Sequence, residues 1–117
     1  MKLTDIDPAL AALPRFGRVT NGSPRQVDAM RQQHLFADGA LAVKTKVLMA
    51  LLWSVNSRCE PCVKYYALRA KEIGVTEAEL GEALAVATTM GACVAETWAV
   101  KAFAAVTGET ASPGCVC

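Results

Sequence analysis

A chain of 117 residues is long enough to form one domain and to bury roughly two-thirds of its unfolded surface without disulfide staples. Its net charge of +1 and lack of any basic run give no electrostatic footprint for nucleic acid. Hydrophobic residues are 53% of the chain and alanines number 21, a load that calls for closely packed helices and for apolar surface buried against another copy of the chain.

The first fourteen residues hold one lysine, two aspartates and two prolines, which is not the pattern of a signal peptide. Residues 1–22 read as an N-terminal arm: a short helical turn plus loop, with Pro8, Pro14, Gly17 and Gly22. Ser23-Pro24 reads as a helix start, with Ser23 as N-cap, and that helix is expected to run to about Phe36 and stop at Asp38-Gly39. From Ala42 to about Asn56 a central helix carries Val43, Val47, Ala50, Leu51 and Ser54 on one side. Its apolar run, Val47 to Trp53, is far too short to span a membrane. The expectation is a cytoplasmic protein with no membrane partner.

Asn56-Ser57-Arg58 breaks the pattern, and Cys59 opens a third helix that ends near Gly74. Thr76 and Glu79 form a capping box at the start of a fourth. Gly91 either interrupts that helix or allows close packing, and a fifth is expected over about Ala92 to Val106. Residues 107–117 read as a mobile tail. No strand alternation and no repeat appear, so the class is all-α, with five to six helices in a single domain over 1–117.

The chemistry centres on Cys59 and Cys62. On a helix, residues three apart share a face, so these two can close a small disulfide ring with little backbone movement. A first-turn position sets a thiolate near unpaired N–H groups, which lowers its pKa and makes it nucleophilic. Pro61 stiffens the turn. A redox dithiol therefore leads, with a metal site and plain packing as alternatives. The metal reading, zinc or a metalloid, needs more ligands: Cys115 and Cys117, if the tail folds back. His34 reads as a partly exposed helix residue. Cys93 reads as a small core residue. The terminal Cys115 and Cys117 are an inert end, a resolving dithiol or a soft-metal hook. No cofactor is called for.

The order of these features is specific. Asp38-Gly39-Ala40-Leu41, then KTKVLMALLWSVNSRCEPCVKYY, then Ala70 to Leu80, resemble the carboxymuconolactone decarboxylase superfamily, and within it the AhpD-like proteins. The resemblance covers about residues 38–105. It implies an all-helical subunit that assembles into trimers or hexamers. Decarboxylase members act on a lactone and lack the dithiol, so a lyase is the remote alternative. AhpD-like members use the dithiol for alkylhydroperoxide reduction or protein disulfide exchange.

The AhpD pattern has a glutamate, eleven residues, Cys-x-x-Cys, three residues and a histidine. Cys59 and Cys62 match the cysteines, but the glutamate position falls on Val47 and the histidine position on Tyr66. The proton relay is thus altered. Tyr66 can donate a hydrogen bond, but a phenol, with a reference pKa of about 10, is a poor base at neutral pH. Glu60 disfavours a nearby thiolate and Lys64 favours one, and both are expected to reach solvent. The helix start acts most directly on Cys59, whereas the resemblance makes Cys62 the attacking thiol; the residues leave this open. The sequence thus points to a thiol–disulfide oxidoreductase with Cys59, Cys62 and Tyr66 at its site. The reactant is a partner protein's disulfide or a small peroxide.

Overall fold

The computed structural model describes residues 2–109, and within them the chain is all-helical. The arm is more ordered than its prolines suggest. It forms α1 (Leu3–Ile6), a 3-10 helix (Pro8–Ala12) and α2 (Leu13–Val19), in place of one turn and a loop. Local side chains make this possible. Asp5 accepts from Lys2 N at 2.9 Å, and Asp7 accepts from Ala9 N at 2.8 Å just ahead of the second short helix. Pro8 and Pro14 sit near helix starts, where a missing N–H costs nothing.

Asn21 and Gly22, both in the left-handed region (φ 55° and 87°), turn the chain into α3 (Ser23–His34). Gly22, not Ser23, is the N-cap; the Ser23 hydroxyl instead donates to Thr20 Oγ1 at 2.7 Å. The helix also ends earlier than expected, at His34. Phe36 leaves the helical path and sets its ring near Tyr65 and Tyr66, with centroids 6.4 and 6.5 Å away.

The body is a three-helix unit of α4 (Val43–Asn56), α5 (Glu60–Glu72) and α6 (Glu77–Thr107). Asp38 Oδ1 accepts from Val43 N at 2.9 Å and fixes the start of α4. The expected inner face is the observed one: Val47, Leu51 and Ser54 are buried, and α4 packs against both α5 and α6. Gly74, at φ 81°, ends α5. The Thr76–Glu79 capping box opens α6, with Glu79 N donating to Thr76 Oγ1 at 3.1 Å and Thr76 N to Glu79 Oε1 at 2.9 Å.

Two helices were expected after Thr76; there is one, of 31 residues. Gly91 does not break it. A Cβ at Gly91 would stand 3.1 Å from Asn56 Oδ1, and Asn56 Nδ2 donates to Ala87 O at 3.0 Å. The glycine lets α6 approach the end of α4. The same continuity corrects Cys93, which is exposed and not in the core. Two residues on from Gly91 is about 200° of helical rotation, so Cys93 points away from α4.

Lys44 Nζ lies 2.9 Å from Glu79 Oε1 and ties α4 to the start of α6. The Thr76 N–H first, then Lys44 and the Thr76 hydroxyl, hold the Glu79 carboxyl down to about 2. A lowered folded-state pKa stabilises above the unfolded value of 4.5 and ceases to do so as pH falls through about 2. Glu79→Gln should therefore lower the melting temperature at neutral pH. The gap from the parent chain should close as pH drops across that window, which a pH series of thermal melts would show.

The buried apolar core of one chain is small: Ile6, Val47, Leu51, Ala70 and Ala87 among the described residues. The radius of gyration is 18.6 Å, against about 13 Å for a compact domain of this length. Large side chains on α4 and α6 face outward, Trp53, Met90, Trp98 and Phe103 among them. By length and composition alone, α6 could also cross a membrane.

Candidate functional site

The segment between α4 and α5 presents the dithiol. Ser57 N donates to Trp53 O at 2.8 Å and Arg58 N to Val55 O at 3.2 Å, closing off α4. Arg58 then takes φ 60°, a left-handed conformation that suits glycine better than arginine. It reverses the chain so that Cys59 N reaches Ser54 O at 3.0 Å. Arg58→Val should cost about 1–2 kcal/mol, because a β-branched side chain tolerates this region worst, while Arg58→Gly should be near neutral. Chemical denaturation of the three proteins would check the order.

Cys59 is the N-cap of α5, and its carbonyl accepts the first helical bond, from Val63 N at 2.9 Å. Pro61 sits in the first turn. Cys62 follows in that turn, with its Cα 5.2 Å from that of Cys59, and the two sulfurs are joined in a disulfide. Both residues are half-buried. The spacing argument for a small ring at a helix start is thus realised in the geometry.

The two cysteines differ in outlook. A groove of about 540 Å³ runs between the arm, α3 and the start of α5. Cys62 lines it, together with Pro61, Tyr65 and Tyr66; Cys59 does not. The arm supplies the opposite apolar wall, including Ile6 and Phe16. Among the described residues, then, Cys62 is the cysteine that borders this groove. A second, more open hollow of about 680 Å³ between α2 and α3 is lined by no cysteine among the described residues.

Tyr66 is half-buried on the groove and edge-on to Tyr65, with centroids 5.0 Å apart. Phe36 completes the aromatic cluster, and the Arg69 guanidinium stands 4.9 Å over its ring and 5.7 Å over that of Tyr65. The hydrogen bond that Arg69 donates to the Glu72 carboxylate pushes the Arg69 pKa above its ordinary value, so Arg69 is a fixed cation. Tyr65 and Arg69 escaped the sequence reading. Their signal was spacing alone: they follow Cys62 by three and seven residues, which on a helix is one face.

Glu60 and Lys64 do reach solvent and pair with each other at 3.3 Å, so their opposing influences on a thiolate partly cancel. Val47, at the position of the family glutamate, is fully buried on α4. It leaves no acid or base there. His34 is exposed at the end of α3 and does not line the groove. No group of three or more His, Cys, Asp or Glu converges among the described residues. Cys115 and Cys117, on which a four-thiolate site depends, lie outside them.

Comparison with known proteins adds to this geometry. An uncharacterised protein of Cupriavidus necator is 29% identical over 104 residues, covering 86% of this chain and 92% of its own. An uncharacterised protein of the cox locus of Paracoccus denitrificans is 37% identical over 70 residues, covering 60% of this chain and 63% of its own. No solved structure matches. The model of the carboxymuconolactone decarboxylase family matches residues 21–105, which takes in α3 to α6 and both cysteines. The chain therefore belongs to the carboxymuconolactone decarboxylase family, as a member with a Cys-x-x-Cys pair.

Proposed function

We propose that the protein is a thiol–disulfide oxidoreductase of the AhpD-like type, in which Cys62 attacks and Cys59 resolves. The observation that carries the reading is the pairing of the two sulfurs at the start of α5, with Cys62 on the groove. In the reduced protein the Cys62 thiolate attacks one sulfur of a partner's disulfide and expels the other as a thiolate. A mixed disulfide results. The Cys59 thiolate then attacks Cys62 Sγ, releases the partner as a dithiol and closes the Cys59–Cys62 bond. Two electrons pass to the partner, and the reverse sequence oxidises it.

Peroxide is the slower reactant. The Cys62 thiolate would take one peroxide oxygen to become a sulfenic acid, and the other oxygen would leave as an alkoxide that needs a proton. Cys59 would then condense with the sulfenic acid, releasing water and forming the disulfide. With Val47 in place of glutamate, no carboxyl stands at that position to relay a proton, which must come from the Tyr66 phenol or from solvent. Exchange between thiols needs less proton traffic and is the main activity in this reading. A reducing, cytoplasmic setting suits a dithiol that cycles. The test is to follow disulfide reduction and peroxide consumption by the parent chain and by Cys59→Ser and Cys62→Ser.

The working form is a homo-oligomer. Further copies of the chain would cover the outward face of α6, where Trp98 and Phe103 are each more than three-fifths exposed. Light scattering should give a multiple of 12.4 kDa for the parent chain, and Trp98→Asp with Phe103→Asp should return the monomer.

A further inference from the structure

The arm that walls the groove lies outside the segment the family model matches: the match begins at residue 21, and the arm ends at Val19. Its hold on the body is narrow. Ile6 is its sole buried residue among those described, and α1 meets the body at α5. One side chain latches it there: Lys64 Nζ donates to Ile6 O at 3.4 Å while pairing with Glu60. The arm turns into α3 at Asn21 and Gly22 and packs on it through α2, so its attachment to α5 is the contact that seats it over Cys62.

We infer that the N-terminal arm is a gate that sets which reactants reach Cys62. Seated, with Ile6 buried and Lys64 on its carbonyl, it narrows the approach to an apolar slot that admits slender reactants. Released, it opens α5 to a reactant of protein bulk. The arm is then a specificity element: Ile6 and Lys64 hold it closed and so set access to Cys62. This rests on the reading of Cys62 as the attacking sulfur, but the test below needs only a thiol at that position and not a reversible disulfide.

The full-length protein, reduced, is treated with N-ethylmaleimide or with a long polyethylene-glycol maleimide, and the rate at Cys62 is followed by peptide mass spectrometry. Both reagents add the same thiolate to the same double bond, so any change in thiolate fraction scales both rates and leaves their ratio unmoved. Ile6→Asp should raise the bulky-to-small ratio at Cys62 by about tenfold or more, because labelling by the large reagent tracks the open population. Lys64→Met should raise it in the same direction by less, and this variant carries the test if circular dichroism shows Ile6→Asp to be unfolded. A ratio unchanged in the folded variants would overturn the gate and leave the redox reading standing.

Discussion

Cys62→Ser should abolish both disulfide exchange and peroxide consumption, by about a thousandfold or more, and Cys59→Ser should behave differently. The first removes the sulfur on the groove, and a serine hydroxyl is not ionised at neutral pH, so no nucleophile replaces it. The second leaves the attacking thiol in place but removes the group that frees it. Cys59→Ser should therefore still attack a disulfide partner once and stop as a mixed disulfide. Gel electrophoresis without reductant would show a covalent complex with the partner for Cys59→Ser and none for Cys62→Ser. If the two variants exchanged these behaviours, Cys59 would be the attacking residue and the orientation of the groove would be irrelevant to the chemistry.

The second large effect concerns the altered relay. Val47 is completely buried between helices, so Val47→Glu sets a carboxyl where water does not reach. Burial penalises the charged form, raises the carboxyl pKa and costs about 2–4 kcal/mol of stability. A carboxyl raised toward neutrality is also what general acid catalysis needs. Paired with Tyr66→His, it restores the relay that the AhpD pattern implies. The double variant should melt well below the parent chain yet consume peroxide about a hundredfold faster, with a bell-shaped pH profile that the parent lacks. Its rate of disulfide exchange should change far less. A double variant that keeps its fold but gains no peroxidase rate would show that the relay positions are not what limits this site.

Much of the architecture was legible from local signals. The face of α4 that carries Val47, Leu51 and Ser54 follows from helical spacing alone, and the Thr76–Glu79 capping box marks the start of α6 where the structure has it. The dithiol and its place at the head of α5 were equally plain, since the spacing of Cys59 and Cys62 and the first-turn Pro61 are sequence features. The errors came where tertiary contact overrode local preference. Gly91 reads equally as a break or as a close-packing point, and the contact with Asn56, 35 residues away, decides for packing, so the two helices expected after Thr76 are one. Cys93 followed Gly91 into error, because its exposure depends on how α6 is turned against α4. α3 stops at His34, and Phe36 just beyond it sets its ring near Tyr65 and Tyr66, a contact that local sequence does not show.

The groove was not legible at all. It is made by the arm folding back over α5, and nothing in residues 1–22 names α5 as their destination. The contact through Ile6 and Lys64 joins positions 58 apart in sequence. That contact is also what distinguishes the two cysteines. From the sequence, a helix start favours Cys59 as the more activated sulfur. In the fold Cys62, and not Cys59, lines the groove.

Equilibration of the protein against graded ratios of reduced to oxidised glutathione, with the Cys59 and Cys62 thiols counted by mass spectrometry, bears most directly on all of this. A reversible two-electron transition at a potential between about −180 and −300 mV, where cellular dithiols exchange electrons, is the expected result. A bond that never reopens across that range, or that opens only far below it, would make Cys59–Cys62 a fixed staple, and the protein would not be an oxidoreductase.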